Sequence, residues 1–345
     1  MSLKKLLTYL SVGILTAGLI YAFILYSKAF SPNTSFSESK AYVLIPTNAT
    51  PNQARDSIKQ FVNDWEQFES VFKQFEMDKK IFSGRFELTK GMNNFEIAQA
   101  LRKNVPVRVT FNNQETLQDL AKRLDKQLEP TAEEFIEIFT EAKFLEQNQA
   151  TKENALGLFM PNTYEFYWNV NPLKVRNTIH KEYIKFWNAH RTAKAKEMGY
   201  SPLEINNLAS IVQKESAKID ERPRVAGVYL NRLKKGIQLQ ADPTVIYAKK
   251  LTMQNFDTII KRVYLNDLKI NNPYNTYLYK GLPPGPIAMS DVSSIDAVLN
   301  AENHNYIYFC ASVSRIGYHE FATTMEEHSK NRDKYIKWIE ERGIK

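Results

Sequence analysis

The side chain of Glu215 is the group in this sequence best placed to do acid–base chemistry. Ser201, Pro202 and Glu204 have the spacing of a capped helix start, with a hydroxyl cap, a proline in the first turn and a capping box. At helical spacing from that start, one apolar face carries Glu215 together with Leu208, Ile211 and Val212. A carboxylate on a face that packs inward is desolvated, so its pKa rises and it can act as a general acid near neutral pH. The alternative is that Glu215 lies at the helix end and reaches solvent.

Short elements and rigid loops follow this helix and are the candidates to position a substrate. A helix predicted over 220–235 and a short strand predicted over 237–241 lead to Asp242, which stands before a proline as an N-cap does. Residues 272–277 and 281–286 are dense in Pro, Gly and Asn, which fixes an exposed loop. Tyr and Asn side chains on such a loop form either a substrate rim or a structural connection.

The chain upstream of Glu215 predicts an α+β fold built from recurring strand–turn–helix units. Strands are predicted at the alternating segments 42–45, 85–88 and 107–111. Helices are predicted at 50–61, 95–102, 115–128, 131–148 and 174–195. An aromatic loop is predicted over 158–167. Units of this kind are typical of a packed α+β domain, and small ones also bind glycans.

The first thirty residues predict a membrane anchor. Residues 6–27 carry no charge and follow Lys4 and Lys5. As a helix they span roughly 33 Å, which matches a bilayer core and exceeds the apolar run of a secretory signal peptide. The two lysines favour a cytoplasmic N-terminus at residues 1–5. We therefore expect a single-pass anchor at 6–27 in the cytoplasmic membrane, a tether at 28–40 and a body outside the cytoplasm.

Composition argues against several other classes of function. The single cysteine, Cys310, excludes an intramolecular disulfide and a cysteine zinc cluster, and it lies in a run at 306–311 that predicts a buried strand. The five histidines show no metal-ligand spacing, so we expect no metal and no cofactor. The net charge of +8 is spread in ones and twos along the chain. That pattern favours an anionic polymer or a membrane surface over nucleic acid.

Five segments in the C-terminal half carry a combined signature. They are LASIVQKES at 208–216, VAGVYLNRL at 225–233, LQADPTVIY at 239–247, PYNTY at 273–277 and GLPPGP at 281–286. Together they resemble the MltG (YceG-like) family of endolytic peptidoglycan transglycosylases. FMPNTY at 159–164 is similar to the family's pre-catalytic loop, and HEF at 319–321 extends the resemblance more weakly.

The resemblance implies an architecture and an activity. The architecture is an α+β protein with an N-terminal transmembrane helix, a small LysM-like α+β module at 41–150 and a lytic transglycosylase catalytic domain at 151–345. The activity is cleavage of MurNAc–GlcNAc bonds in nascent peptidoglycan, which leaves 1,6-anhydro-MurNAc ends and limits glycan strand elongation. The expected partners are peptidoglycan glycan strands and cell-wall synthesis proteins.

The implied mechanism needs one acid–base group, which we assign to Glu215. It protonates the bridging oxygen and then takes the proton of the MurNAc 6-hydroxyl, so the second carboxylate of a hydrolase is not required. Glu221 and Asp242 are possible supporting carboxylates, although we expect Glu221 to pair with an arginine and Asp242 to cap its helix. The expected substrate-binding residues are Gln240, Tyr274, Asn275 and Tyr277.

Gln213 departs from the family pattern. Relatives usually carry two acids in this helix motif, one of them where Gln213 stands. Gln213 points about 160° away from Glu215 on a helix, which again selects Glu215 as the acid. If the earlier position carries the chemistry, the protein is instead a catalytically weak glycan-binding scaffold that recruits cell-wall synthesis proteins. A lysozyme-like hydrolase is the third alternative.

Overall fold

The computed structural model describes residues 3–77 and 82–343, which form a mixed α+β structure. Residues 1–2, 78–81 and 344–345 lie outside the described residues; they belong to the predicted cytoplasmic N-terminus, LysM-like module and catalytic domain. The chain forms two compact units. The first contains Met1–Val109, Gln127–Pro130 and Glu165–Asn171, and the second contains Thr110–Lys126, Thr131–Tyr164 and Pro172–Lys345. Much of the segment 110–150, predicted as part of the module, therefore lies in the second unit, and the predicted domain limits stay a prediction.

Helix α1 (Leu3–Phe30) is the apolar N-terminal element. Its stretch Leu7–Phe30 has 24 residues and is long and apolar enough to cross a membrane. Two of its hydroxyl groups bond carbonyls one turn back, Ser11 to Thr8 at 3.0 Å and Thr16 to Val12 at 2.8 Å. Such internal bonding is what a lipid environment requires of polar groups. The helix is thus compatible with the predicted single-pass anchor.

The first unit is built on a two-stranded antiparallel sheet covered by three helices. Its elements are β1 (Lys40–Ile45), α2 (Pro51–Lys59), α3 (Trp65–Gln74), β2 (Gly84–Thr89) and α4 (Asn94–Ala100). Val43 pairs with Phe86, and both side chains are fully buried in a core shared with Phe68, Leu88 and Ile97. The predicted strands and helices of this region are confirmed, and α3 adds a helix that the sequence analysis did not assign.

Strands β3 (Pro106–Phe111) and β4 (Asn162–Tyr167) pair in a second sheet. The prediction of a loop over 158–167 is therefore wrong for residues 162–167, which form β4. A 3-10 helix (Ala155–Leu158) precedes β4. Tyr164 and Phe166 alternate inward with exposed neighbours, so the aromatic residues serve a half-buried strand.

The second unit is mainly helical, with one hairpin. Its elements are α5 (Leu117–Asp125), α6 (Ala132–Phe139), α7 (Ala142–Gln147), α8 (Pro172–Phe186), α9 (Ala189–Glu197), α10 (Pro202–Glu215), α11 (Arg222–Lys234), α12 (Asp242–Met253), α13 (Val292–Leu299), β5 (Tyr308–Ala311), β6 (His319–Ala322) and α14 (Met325–Glu341). A further 3-10 helix lies at Asp267–Lys269. Helix α10 packs against α11, α12 and α13, and its residues 205–212 are all buried.

Four predicted elements in this unit are wrong in detail. The helix predicted at 131–148 is divided into α6 and α7, and the one at 174–195 is divided into α8 and α9. Asn188 caps α9 by accepting from the Arg191 amide at 3.0 Å, which starts a new helix. The strand predicted at 237–241 is irregular, because Gln240 adopts a left-handed backbone with φ 52°. The strand at 306–311 exists as β5 but is half-buried.

Candidate active site

Glu215 is the last residue of α10, and a second helix keeps its carboxylate out of bulk water. The capping box that starts α10 is present, with the Glu204 amide donating to Ser201 Oγ at 3.2 Å and the Ser201 amide donating to Glu204 Oε2 at 2.8 Å. At the other end, Glu215 Oε1 accepts a hydrogen bond of 2.7 Å from the Tyr229 hydroxyl of α11. Tyr229 is only 1% exposed, so this contact is made inside the fold.

A cavity of about 320 Å³ opens beside this carboxylate. Helices α10, α11, α12 and α14, the irregular segment before α12 and the β5–β6 hairpin all contribute to its wall. The lining residues that bear on the chemistry are Glu215, Tyr229, Arg232, Gln240, Asp242, Tyr277, His319 and His328. Three of the predicted site residues, Gln240, Asp242 and Tyr277, therefore line the same cavity as Glu215.

The electrostatics of this cavity favour a protonated Glu215. Burial raises the pKa of Glu215 to about 7; the Tyr229 hydrogen bond opposes the rise, and the nearby charge of Asp242 adds to it. Asp242 Oδ1 in turn accepts from the Tyr277 hydroxyl at 2.6 Å. An acid with a pKa near the working pH is suited to give a proton and take one back.

Replacing Tyr229 with Phe tests this balance. We expect the alkaline limb of the pH–rate profile to move upward by about one unit, because a hydrogen bond that favours the ionised carboxylate is lost. The sign follows from the role of an acid: the rate is full below the pKa of Glu215 and falls above it. Rates measured from pH 5 to 9 on both proteins check the shift. A limb that stays in place or moves downward contradicts it.

The side chains of Asp242 and Gln240 both make hydrogen bonds at the cavity wall. Asp242 is itself the first residue of α12, whose N-cap Ala241 makes no side-chain bond, so the predicted capping role is wrong. The carboxylate faces the cavity and holds Tyr277 instead. Arg232 donates to the side-chain oxygen of Gln240 at 2.5 Å. The Gln240 amide nitrogen is then the part of that group offered to a ligand.

Tyr274 and Asn275 do not line this cavity. Asn275 is fully buried; its amide nitrogen donates to the carbonyls of Leu268 at 3.0 Å and Ile270 at 2.9 Å, and its oxygen accepts from the Tyr277 amide at 3.0 Å. It therefore positions Tyr277. Tyr274 is 7% exposed and lines a neighbouring cavity of about 680 Å³. The rigid loop thus supplies one cavity residue, Tyr277.

Glu221 has a different partner from the arginine that the sequence predicted. Its two oxygens accept from His319, at 2.7 Å from Nδ1 and 2.8 Å from the backbone amide. Ser216 also donates to it at 3.1 Å. Arg222 instead bonds Asp291 at 3.0 Å. Tyr229, Arg232, His319 and His328 also line the cavity and were not predicted as site residues. The spacing of Tyr229 and Arg232 on one face of α11 is the signal that was available for two of them.

Neither a metal site nor a reactive thiol stands out beside this acid. Within 3–77 and 82–343, no group of three or more His, Cys, Asp or Glu residues is arranged to hold a metal ion. Cys310 lines the cavity from β5, and burial raises the pKa of its thiol. A thiol of raised pKa stays protonated and is a poor nucleophile. Proton transfer is the chemistry that the position and raised pKa of Glu215 favour in this cavity.

Comparison with known proteins agrees with these observations. The model of the YceG-like family matches residues 43–334, which is most of the chain. The chain belongs to the YceG-like family. The endolytic murein transglycosylase of Bacillus subtilis is 28% identical over 338 residues, covering 91% of this chain and 90% of that protein. An endolytic murein transglycosylase of Streptococcus pneumoniae is 32% identical over 147 residues, covering 43% of this chain and 26% of that protein.

A solved YceG-like structure has the same fold. The 2.6 Å crystal structure of a yceG-like protein from Listeria monocytogenes superposes with a TM-score of 0.58 at 27% identity. The match covers 85% of this chain and 99% of that one. The architecture described above is therefore shared within the YceG-like family.

In this YceG-like chain, Gln213 is a structural residue. Its oxygen accepts from the Asp291 amide at 2.7 Å and from the Ser294 hydroxyl at 3.1 Å, and its nitrogen donates to the Met289 carbonyl at 3.2 Å. These bonds tie the end of α10 to the start of α13. Gln213 is not among the residues that line the Glu215 cavity. An acid at this position would therefore lie outside the residues that line the cavity.

Replacing Gln213 with Ala is expected to lower stability and to spare the chemistry. Losing the three bonds to Met289, Asp291 and Ser294 should reduce the free energy of unfolding by about 1–3 kcal/mol. The turnover number should stay within about threefold of wild type, because the acid is untouched. Urea titrations and rate measurements at 25 °C check both. A loss of turnover in a fully folded variant would instead give Gln213 a part in the reaction.

Proposed function

We propose that the cavity beside Glu215 is the active site of a murein transglycosylase, a lyase that cuts peptidoglycan without water. The single observation that carries the proposal is a carboxyl group, partly buried at a cavity wall, whose pKa is raised to about 7. The relatives in Bacillus subtilis and Streptococcus pneumoniae are named endolytic murein transglycosylases, which supports the same conclusion. The enzyme acts within nascent glycan strands and limits their elongation.

The proposed reaction uses the chain's own 6-hydroxyl as nucleophile. Glu215 protonates the oxygen that links MurNAc to GlcNAc, and the 6-hydroxyl of the same MurNAc closes on the anomeric carbon as a 1,6-anhydro ring. An internal nucleophile has a high effective concentration and needs no second carboxylate to hold a water. Gln240 and Tyr277 are the residues we assign to substrate contact, with Asn275 positioning Tyr277 and Asp242 adjusting the pKa of Glu215. Tyr274 lines the neighbouring cavity and stays a prediction.

A digest of isolated sacculi tests the reaction type. Wild-type protein is expected to release fragments that end in 1,6-anhydro-MurNAc, identified by mass spectrometry. A hydrolase would give reducing ends that carry one extra water. A glycan-binding scaffold would give neither product while still retaining glycan strands. Only the first outcome agrees with the proposal.

The placement in the cell rests on α1. We propose that this helix anchors the protein in the cytoplasmic membrane with its N-terminus inside and the catalytic unit outside, because Lys4 and Lys5 precede the apolar stretch Leu7–Phe30. Alkaline phosphatase fused to the C-terminus should be active in cells, and a cytoplasm-only reporter at the same point should be silent. The reverse pattern would place the catalytic unit in the cytoplasm.

We also propose that the segment 41–150 contains a LysM-like module that binds glycan strands. Supporting this, β1, α2, α3 and β2 follow one another, the strands pair antiparallel, and the first unit has a core of its own. Cell-wall synthesis proteins are the proposed protein partners, since the substrate is nascent glycan. Pull-down of insoluble peptidoglycan by Glu215→Gln protein, with and without competing glycan fragments, measures binding apart from cleavage.

A further inference from the structure

We propose that His319, held in place by Glu221, is a second catalytic residue that takes the proton of the sugar 6-hydroxyl as this oxygen closes on the anomeric carbon. The inference rests on the proposed function and deepens it. It divides the two proton transfers between two groups, with Glu215 as the acid and His319 as the base.

The geometry of His319 leaves one ring atom for a ligand. His319 is the first residue of β6, opposite Ala311 in the hairpin, and its side chain lines the same cavity as Glu215. Its Nδ1 lies 2.7 Å from one oxygen of Glu221, and its backbone amide lies 2.8 Å from the other. The ring of Phe309 packs against it at 5.0 Å, edge to face. With Nδ1 engaged and the ring fixed, Nε2 is the atom that a bound sugar can reach.

Glu221 sets the tautomer of this imidazole. It is 5% exposed and also accepts from Ser216, so its oxygens act as fixed acceptors and require a donor at Nδ1. A neutral histidine that donates from Nδ1 carries its lone pair on Nε2. Such a carboxylate–imidazole pair orients a base, and it compensates the positive charge that forms when the base takes a proton.

Two separate groups suit the reaction better than one. The acid must hold a proton at the start and the base must lack one, and both conditions have to hold at the same pH. Glu215 meets the first condition because burial raises its pKa to about 7. His319 is a second group in the same cavity, and it approaches from the hairpin while Glu215 approaches from α10.

The atoms, electrons and protons of the proposed step balance. The bond from the anomeric carbon to the bridging oxygen breaks with its electron pair on oxygen, which takes the proton of Glu215. The 6-oxygen forms a bond to the anomeric carbon, and its proton passes to Nε2 of His319. The products are the anhydro sugar, the free GlcNAc hydroxyl, a Glu215 carboxylate and a His319 imidazolium. Transfer of that one proton from His319 to Glu215 through solvent restores the enzyme, and no water is consumed.

Steady-state kinetics of the full chain on a defined glycan oligomer test this role. In His319→Asn the new amide can still donate to Glu221, but the Nε2 lone pair is gone. Its kcat should fall about 10²-fold or more while KM stays within about threefold.

Glu221→Gln leaves one of the two His319 donors unpaired and should lower kcat about tenfold. Added imidazole should restore part of the kcat of His319→Ala. The control His190→Asn changes an exposed histidine of α9 and should match wild type.

The outcomes separate this inference from the proposed function. If wild type forms anhydro ends and folded His319→Asn keeps its kcat within about threefold, His319 is structural and the inference is overturned. If His319→Asn does not fold, Glu221→Gln decides: an unchanged kcat overturns the inference as well. If wild type forms no anhydro ends, the proposed function itself fails, whatever the histidine variants do.

Discussion

Replacing Glu215 with Gln should reduce the formation of 1,6-anhydro ends by about 10³-fold or more while leaving the protein folded. The amide cannot release a proton to the bridging oxygen, and a positioned acid–base group contributes about 10²–10⁴-fold. The fold is spared because Gln has nearly the same shape and its oxygen can still accept from Tyr229, which donates to Glu215 at 2.7 Å in the native protein. Glycan binding should persist, since the rest of the cavity wall is unchanged.

Glu197 offers a matched control for this substitution. It is also the last residue of a helix, α9, but it is exposed to solvent. Glu197→Gln should therefore retain wild-type rates in the same digest of sacculi, with anhydro ends quantified by mass spectrometry. Residual activity of Glu215→Gln within tenfold of wild type would remove Glu215 from the role of acid.

The same substitution should stabilise the protein in alkaline solution. Because burial raises the pKa of Glu215 from 4.5 to about 7, its ionisation costs more in the folded state than in the unfolded state. The stabilising effect of the protonated form is complete below pH 4.5 and is lost as the pH rises through 7. Glu215→Gln does not lose stability in this way. At pH 8 its free energy of unfolding should therefore exceed that of the wild type by up to about 3 kcal/mol. Urea midpoints that stay equal from pH 5 to 8 would contradict the raised pKa.

Local sequence signals predicted helix α10 well because every one of them acts within a few residues. The hydroxyl at Ser201, the proline after it and the carboxyl at Glu204 start α10 as expected. The apolar spacing correctly turned Glu215 inward. Both alternatives considered for Glu215 were partly right, since it lies at the helix end and still faces a cavity whose wall includes Tyr229 of α11.

The remaining site residues depend on contacts that no local pattern contains. Tyr229 reaches Glu215 only because α10 and α11 pack together. His319 comes to Glu221 across 98 positions of sequence through the β5–β6 hairpin. Asp242 looked like a cap because proline follows it, yet the backbone of Ala241 takes that place and frees the carboxylate for Tyr277. Tertiary packing decides each of these cases.

The glycine at position 285 of the proline-rich loop at 281–286 is also explained by a contact that the sequence does not show. Gly285 passes directly over the backbone of Glu153, where a Cβ would press on the carbonyl oxygen and lie 2.6 Å from the carbonyl carbon. The loop is held on α10 at two points beside it. Asn207 donates to the Pro283 carbonyl at 2.6 Å, and Ser210 Oγ accepts from the Ile287 amide at 3.0 Å. Gly285 is thus required by a close approach of two backbones.

Gly285→Ala should therefore be among the most destabilising single changes in the second unit. The added methyl group meets backbone that cannot rotate away, and a shift of the loop breaks the bonds to Asn207 and Ser210. We therefore expect the free energy of unfolding to fall by about 3–5 kcal/mol, or the variant not to fold. Gly236→Ala is the control: its φ of 64° is strained for Ala, but no atom lies within 4 Å of the new Cβ. That strain alone costs about 1–2 kcal/mol. Urea unfolding followed by circular dichroism compares them, and equal losses in the two variants would show that the close approach at Gly285 is not what the loop depends on.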